Sequence, residues 1–226
     1  MSRPAPMQIE VISDVICPWC FIGKRHLEGA LAQLAGEGLV FTNAWRPYQL
    51  NPDMPSEGIS REMYRTAKFG SLAHSRELDT HVAKAGQLVG LEFNFDRISR
   101  TPNTVEAHRA IRAAAAAGLQ DAMVERLFVA YFKEGQDIGQ PAVIAGLAGE
   151  IGLAARPGRV RALAQRPKYG AHPRTSRIEG QRLMQMNGKN AAVYLSKSCS
   201  NFGRTQFYYL TPTRPGPAQA RSRAVA

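Results

Sequence analysis

Apolar positions fall into two rhythms along this chain, and the switch between them predicts its layout. Residues 8–16 carry Ile9, Val11, Ile12, Val15 and Ile16 in a short β-branched run, which predicts a buried strand. Cys17 and Pro18 end that run. Phe21, Ile22, Leu27, Leu31 and Leu34 then recur at helical spacing until Gly36 and Gly38 stop the helix. Pro18 suits the first turn of this helix, because its φ is fixed and the N–H it lacks would have no partner there. Leu39-Val40-Phe41-Thr42-Asn43-Ala44-Trp45 predicts a second strand, and a right-handed crossover through the helix makes the two strands parallel.

From Tyr48 to about Gly149 only helical spacing remains. Asn51-Pro52-Asp53-Met54-Pro55 predicts a stiff connector, followed by helices over 60–69, 72–89, 104–117 and 119–132 and a fifth opening near Pro141. Asn103-Thr104-Val105-Glu106 has the form of a capping box, with Asn103 accepting from the first turn and Glu106 reaching back. The alanines at 113–117 are strong helix formers and let a neighbouring helix come close. Beyond Leu153 the periodicity fades. Ala191-Ala192-Val193-Tyr194-Leu195 and Gln206-Phe207-Tyr208-Tyr209-Leu210 predict two strands of an antiparallel pair, and residues 211–226, rich in proline without apolar period, predict a loose basic tail.

Composition adds the compartment. At 226 residues and 44% hydrophobic, the chain has material for a substantial core. No run approaches the roughly 18 to 20 apolar residues of a membrane span, and the first six residues have no charged leader followed by an apolar signal core. The expectation is a soluble, cytoplasmic protein with no membrane partner.

The net charge of +11 suggests nucleic acid until it is divided along the chain. Residues 1–155 hold 15 Lys and Arg against 17 Asp and Glu, whereas residues 156–226 hold 14 against the single Glu179. The basic excess therefore belongs to the last third. With Tyr194, Phe202, Phe207, Tyr208 and Tyr209 interleaved, that third is a candidate for holding single-stranded nucleic acid. A solvated basic tail ranks above it, since no RNA-binding signature accompanies the charge.

Three cysteines are too few for a disulfide framework. Cys17 and Cys20 stand at i and i+3 where a strand gives way to a helix, so both sulfurs share one face within bonding reach. The open amides and positive dipole end of the helix favour a thiolate at Cys17, which makes it the attacking sulfur. Cys20, one turn in, is placed to resolve the mixed disulfide. Pro18 and Trp19 between them tune how strongly the reduced pair is preferred. Zinc ranks far lower, because one Cys-X-X-Cys supplies two of four ligands, and Cys199 and a histidine would have to converge without a second spaced pair. Asp14, three residues before Cys17, either affects the thiol proton or bonds nearby backbone. His26 reads as a solvated helix residue, and His108 and Arg109 as helix packing and surface pairing.

The stretch Ile9-Glu10-Val11-Ile12-Ser13-Asp14-Val15-Ile16-Cys17-Pro18-Trp19-Cys20 resembles the FrnE-like branch of the DsbA family, a family that includes 2-hydroxychromene-2-carboxylate isomerases and kappa-class glutathione transferases. Trp45-Arg46-Pro47-Tyr48-Gln49-Leu50-Asn51-Pro52, Pro102-Asn103-Thr104 with Ala107-His108-Arg109, and Glu134-Gly135-Gln136-Asp137-Ile138 extend the resemblance to about residue 153. It implies an α/β, thioredoxin-like fold with an inserted all-helical domain and an atypical C-terminal third. The thioredoxin-like part is expected at 7–47 and 150–210, and the insertion at 48–149. It also implies that Trp45, Pro47 and Asn103 surround the cleft, each with an ordinary alternative as core aromatic, loop proline and helix cap. The family's Val-Pro before its closing strands is not found ahead of Ala191, which marks the last third as diverged or frame-shifted.

Both cysteines being present favours a thiol–disulfide oxidoreductase acting on protein or low-molecular-weight thiols and disulfides. No bound cofactor or metal is expected, and glutathione enters as a co-substrate. Glutathione-dependent isomerisation or transfer on the same fold is the alternative.

Overall fold

The computed structural model describes residues 7–153 and 208–211. Strand β1 (Met7–Ser13) lies in the middle of a three-stranded sheet, between β2 (Phe41–Pro47) and β5 (Tyr208–Thr211). β1 and β2 are parallel, in register from Met7 opposite Phe41 to Ser13 opposite Pro47, and helix α1 (Pro18–Gly36) makes the crossover. β5 runs antiparallel to β1, with Gln8 opposite Thr211. Along β1, Ile9, Val11 and Ser13 are buried while Gln8, Glu10 and Ile12 are half-buried, the alternation that a pleated strand imposes.

Two strands differ from expectation. β1 stops at Ser13, three residues short of the apolar run's end, because the chain turns there and the Cys17 amide donates to the Asp14 carbonyl at 3.0 Å. The second of the two expected C-terminal strands is present as β5, but its partner is β1. Residues 191–195, Cys199 and the tail beyond 211 lie outside the described residues.

Between β2 and β5 come α2 (Arg61–Phe69), α3 (Leu72–Gln87), α4 (Val105–Ala115), α5 (Gln120–Phe132) and α6 (Pro141–Glu150). These follow the expected helices to within two residues at each end that was expected. The segment is not helices alone. β3 (Ile59–Ser60) pairs antiparallel with β4 (Arg100–Thr101), too short a ladder to leave any alternation in the sequence. Gly58 permits it: φ is +69°, and a Cβ there would sit 2.6 Å from the Thr101 carbonyl oxygen.

The capping box forms only in part. Asn103 Oδ1 accepts from the Val105 amide at 3.0 Å, but the residue opening α4 is Thr104, and Glu106 pairs with Arg109 instead of reaching back. The other end of the Asn103 amide donates to the Met54 carbonyl at 2.6 Å, which ties the connector after β2 to the start of α4.

Three contacts seat the helical segment on α1 and β2. Phe21, fully buried, stacks on Phe128 with centroids 4.9 Å apart and meets Phe93 edge-on at 6.0 Å. The Gln120 side-chain amide accepts from the Trp45 backbone N–H at 3.0 Å and donates to its carbonyl at 3.1 Å, while Trp45 Nε1 donates to Asp121 Oδ1 at 2.9 Å. Lys24, 2% exposed, sits among Glu28, Asp121 at 3.1 Å and Glu125 at 3.0 Å. Burial works against its ammonium, yet the Glu28 hydrogen bond and the charges of Asp121 and Glu125 outweigh that and push its pKa up. No helix among the described residues is long and apolar enough to cross a membrane.

Candidate functional site

Cys17 is the residue before the first turn of α1, in extended conformation with φ −96° and ψ 110°, and Pro18 takes the first helical position. The Cys17 carbonyl accepts from the amides of Cys20 at 3.0 Å and Phe21 at 3.4 Å, so the turn brings residue 20 back beneath residue 17. The two side chains are in contact without a disulfide between them, with Cys17 7% and Cys20 1% exposed. Trp19, half-buried, packs against the core beside them.

Packing explains why the pair is held still. Phe21 follows Cys20 and is clamped by the phenyl rings of α5. The first turn of α1 is therefore fixed by the helical segment as well as by the sheet.

The electrostatics correct one expectation. Counting only the amides at the helix start predicted an easily formed Cys17 thiolate. In the structure the Cys20 sulfur is hydrogen-bonded to Cys17, and with charge on Cys20 the Cys17 thiol is pushed well above its ordinary range. That hydrogen bond contributes most, followed by burial, then by the charge on Cys20, with the Asp14 carboxylate adding to it; the Cys20 amide pulls the other way. Beside Cys20, the Cys17 thiol of the reduced pair therefore holds its proton more tightly than an isolated thiol does.

Asp14 is fully buried. Its Oδ2 accepts from the Leu50 amide at 2.7 Å, which pins the connector after β2. Its Oδ1 makes no hydrogen bond among the described residues, but His108 Nε2 lies 3.4 Å away. His108, 4% exposed on α4, has the same Nε2 3.0 Å from the Tyr48 carbonyl oxygen. Asp14 thus bonds backbone, one of its two expected roles, and its carboxylate is the smallest of the influences that push the Cys17 thiol up.

Trp45 is buried in the core through its ring and holds Asp121 through Nε1. Pro47 is half-buried at the end of β2. With Ser13, Val15 and His108 they line a cavity of about 330 Å³ between the sheet and helices α4 and α5. Cys17 is not among its lining residues, and Asn103 has both ends of its amide engaged with backbone. His26 is exposed, as expected, and Arg109 makes the expected surface pair with Glu106.

His108 is the residue that sequence reasoning placed too modestly. It falls on the same helix face as Ala107, Ile111 and Ala114, all buried. An ionisable side chain on an apolar stripe needs a polar partner, and Asp14 was a free candidate.

The description DSBA-like thioredoxin domain matches residues 8–188, running past Leu153, where the quoted motifs end. An uncharacterized protein of Bacillus subtilis, YwbO, is 29% identical over 147 residues, which cover 65% of this chain and 67% of that protein. The crystal structure of a probable DsbA oxidoreductase from Streptomyces coelicolor superposes with a TM-score of 0.62 at 26% identity, over 73% of this chain and 70% of that one. That of a putative protein disulfide isomerase from Nitrosomonas europaea gives 0.51 at 16% identity, over 72% of each chain, a likeness of fold.

Proposed function

The chain belongs to the DSBA-like thioredoxin domain family and is a thiol–disulfide oxidoreductase, and we propose that Cys17 and Cys20 are its working pair, exchanging through a mixed disulfide. The observation that carries this reading is the contact between the Cys17 and Cys20 sulfurs in the opening turn of α1.

The Cys17 thiolate attacks one sulfur of a substrate disulfide. A new S–S bond forms, the substrate's S–S bond breaks, and the first substrate sulfur leaves as a thiolate that takes up a proton. The Cys20 thiolate then attacks the Cys17 sulfur, closing the protein disulfide and releasing the second substrate thiolate. Two electrons and two protons pass from the pair to the substrate, and the reverse sequence oxidises a dithiol. Glutathione or a similar small thiol is the co-substrate that resets the pair, and no bound cofactor is required.

The surrounding residues take supporting roles in this proposal. Pro18 and Trp19 set the geometry of the turn, Asp14 acts on the thiol's charge, and Trp45 and Pro47 shape the wall beside it. Asn103 positions the connector that Asp14 also holds. The helices of 48–149 form a roof over the thioredoxin-like residues 7–47, while most of the expected second thioredoxin-like stretch, 154–207, lies outside the described residues.

Cys17→Ser is expected to abolish disulfide exchange, and Cys20→Ser to accumulate mixed disulfides visible by mass spectrometry. Wild-type turnover in both variants would overturn the proposal. Glutathione-dependent turnover of an aromatic substrate that survives Cys20→Ser would move the assignment to isomerisation or transfer.

A further inference from the structure

The geometry points to His108 as a positioning residue for the dithiol: carried by α4, its imidazole sets how much negative charge the buried Asp14 carboxylate presents to the Cys17 sulfur. This deepens the reading of Cys17 as the attacking sulfur and rests on it.

The two residues are 94 positions apart, yet the fold brings them into contact where both are buried. His108 Nε2 faces two acceptors, the Tyr48 carbonyl at 3.0 Å and Asp14 Oδ1 at 3.4 Å, so that nitrogen carries a hydrogen. Among the described residues Asp14 Oδ1 has no hydrogen bond, and the imidazole is the group placed to offset its charge. Asp14 in turn is linked to the dithiol by the turn in which its carbonyl accepts from the Cys17 amide at 3.0 Å. A bare carboxylate in this position opposes a thiolate, and an imidazolium beside it cancels that opposition.

The other charged residues lining the cavity beside His108, among the described residues, are Arg46 of β2 and Arg112 of α4, and α5 lines it with the uncharged Gln120 and Val124. Glu10 pairs with Arg46 on the strand surface. Asp14 is thus the acidic group in contact with His108 among the described residues, placed so that the imidazole can offset a charge that works against a Cys17 anion.

The test is the pH profile of Cys17 alkylation by iodoacetamide, read by mass spectrometry of the peptide that carries it, in a Cys20→Ser background. Asp14→Asn is expected to move the profile to lower pH by about one unit, roughly tenfold faster at fixed pH below the inflection. His108→Gln, which keeps a donor for the Tyr48 carbonyl, is expected to move it to higher pH. The double variant should match Asp14→Asn alone, because without the carboxylate His108 has nothing to offset. A His108→Gln shift of equal size with and without the Asp14 carboxylate would overturn the inference, as would an Asp14→Asn profile identical to the parent. Should His108→Gln fail to fold, the wild-type protein serves: the His108 ring signals in NMR must follow the thiol titration when reduced and lose that inflection in the disulfide form. Ring signals indifferent to the sulfurs would overturn the inference. None of these readouts depends on exchange activity, so a failure here is distinguishable from retention of turnover in Cys17→Ser.

Discussion

The Phe21 ring lies nearly parallel to that of Phe128, 10° from coplanar with centroids 4.9 Å apart, one residue beyond the second sulfur of the dithiol. An aromatic from the helical segment thus fixes the opening turn of α1. Both rings are fully buried, so Phe128→Ala removes a core ring and leaves a void, at a cost of about 3–5 kcal/mol. Urea unfolding measures this loss. The same variant should also speed alkylation of Cys20, whose burial depends on that packing.

Stability of the reduced protein should fall as the solution becomes alkaline. The Cys17 thiol is pushed up in the folded state, so between the ordinary thiol range and the folded value the native chain holds a proton that the unfolded chain has lost. The stabilisation is complete below an ordinary thiol pKa of about 8.5 and declines above it by up to about 1.4 kcal/mol per pH unit for this one group. The disulfide form has no such proton. Urea midpoints of the two forms, compared from neutral pH to pH of about 10.5, should draw apart through this decline, and a gap independent of pH would contradict the assignment.

Lys24→Met should destabilise the protein by roughly 2–3 kcal/mol, below most of the ~3–5 kcal/mol range for breaking a fully buried ion pair, because its carboxylate partners still reach water. The variant leaves Glu28, Asp121 and Glu125 with Arg25 as the cation contacting this group. Their mutual repulsion is relieved when they are protonated. The difference from wild type should therefore narrow near a pH of about 4, which denaturation at neutral and acid pH checks.

Gln120→Ala removes both partners of the Trp45 peptide groups, at a cost of about 1–3 kcal/mol for each buried group left unpaired. Gln120→Glu keeps an acceptor for the N–H but loses the donor to the carbonyl, and should fall between wild type and alanine. Thermal unfolding of the three proteins orders them; equal midpoints would show that water replaces the amide without penalty.

The dithiol and its helix were legible because the signals are local. A proline after the first cysteine and apolar residues at helical spacing need nothing from the rest of the chain. The same holds for α2 to α6, whose stripes and stops lie within each segment. What the sequence hid was long-range. Asp14 and His108 meet only after the helical segment folds onto the sheet, and neither carries a local mark of the other. Lys24 was hidden for a related reason: lysine normally stays in water, and its burial depends on two acidic residues of α5 arriving from a hundred positions away. The β3–β4 ladder was hidden because two residues are too few for an alternation to show.

The pairing of Gln120 with Trp45 reaches further than the stability of one molecule. In β2 the Trp45 peptide groups that face away from β1 are the ones a foreign strand would need, and a side chain of α5 already occupies them. An extended segment from a neighbouring molecule finds no vacant rung at that peptide. This flank is thereby protected against growth into a shared, polymerising sheet.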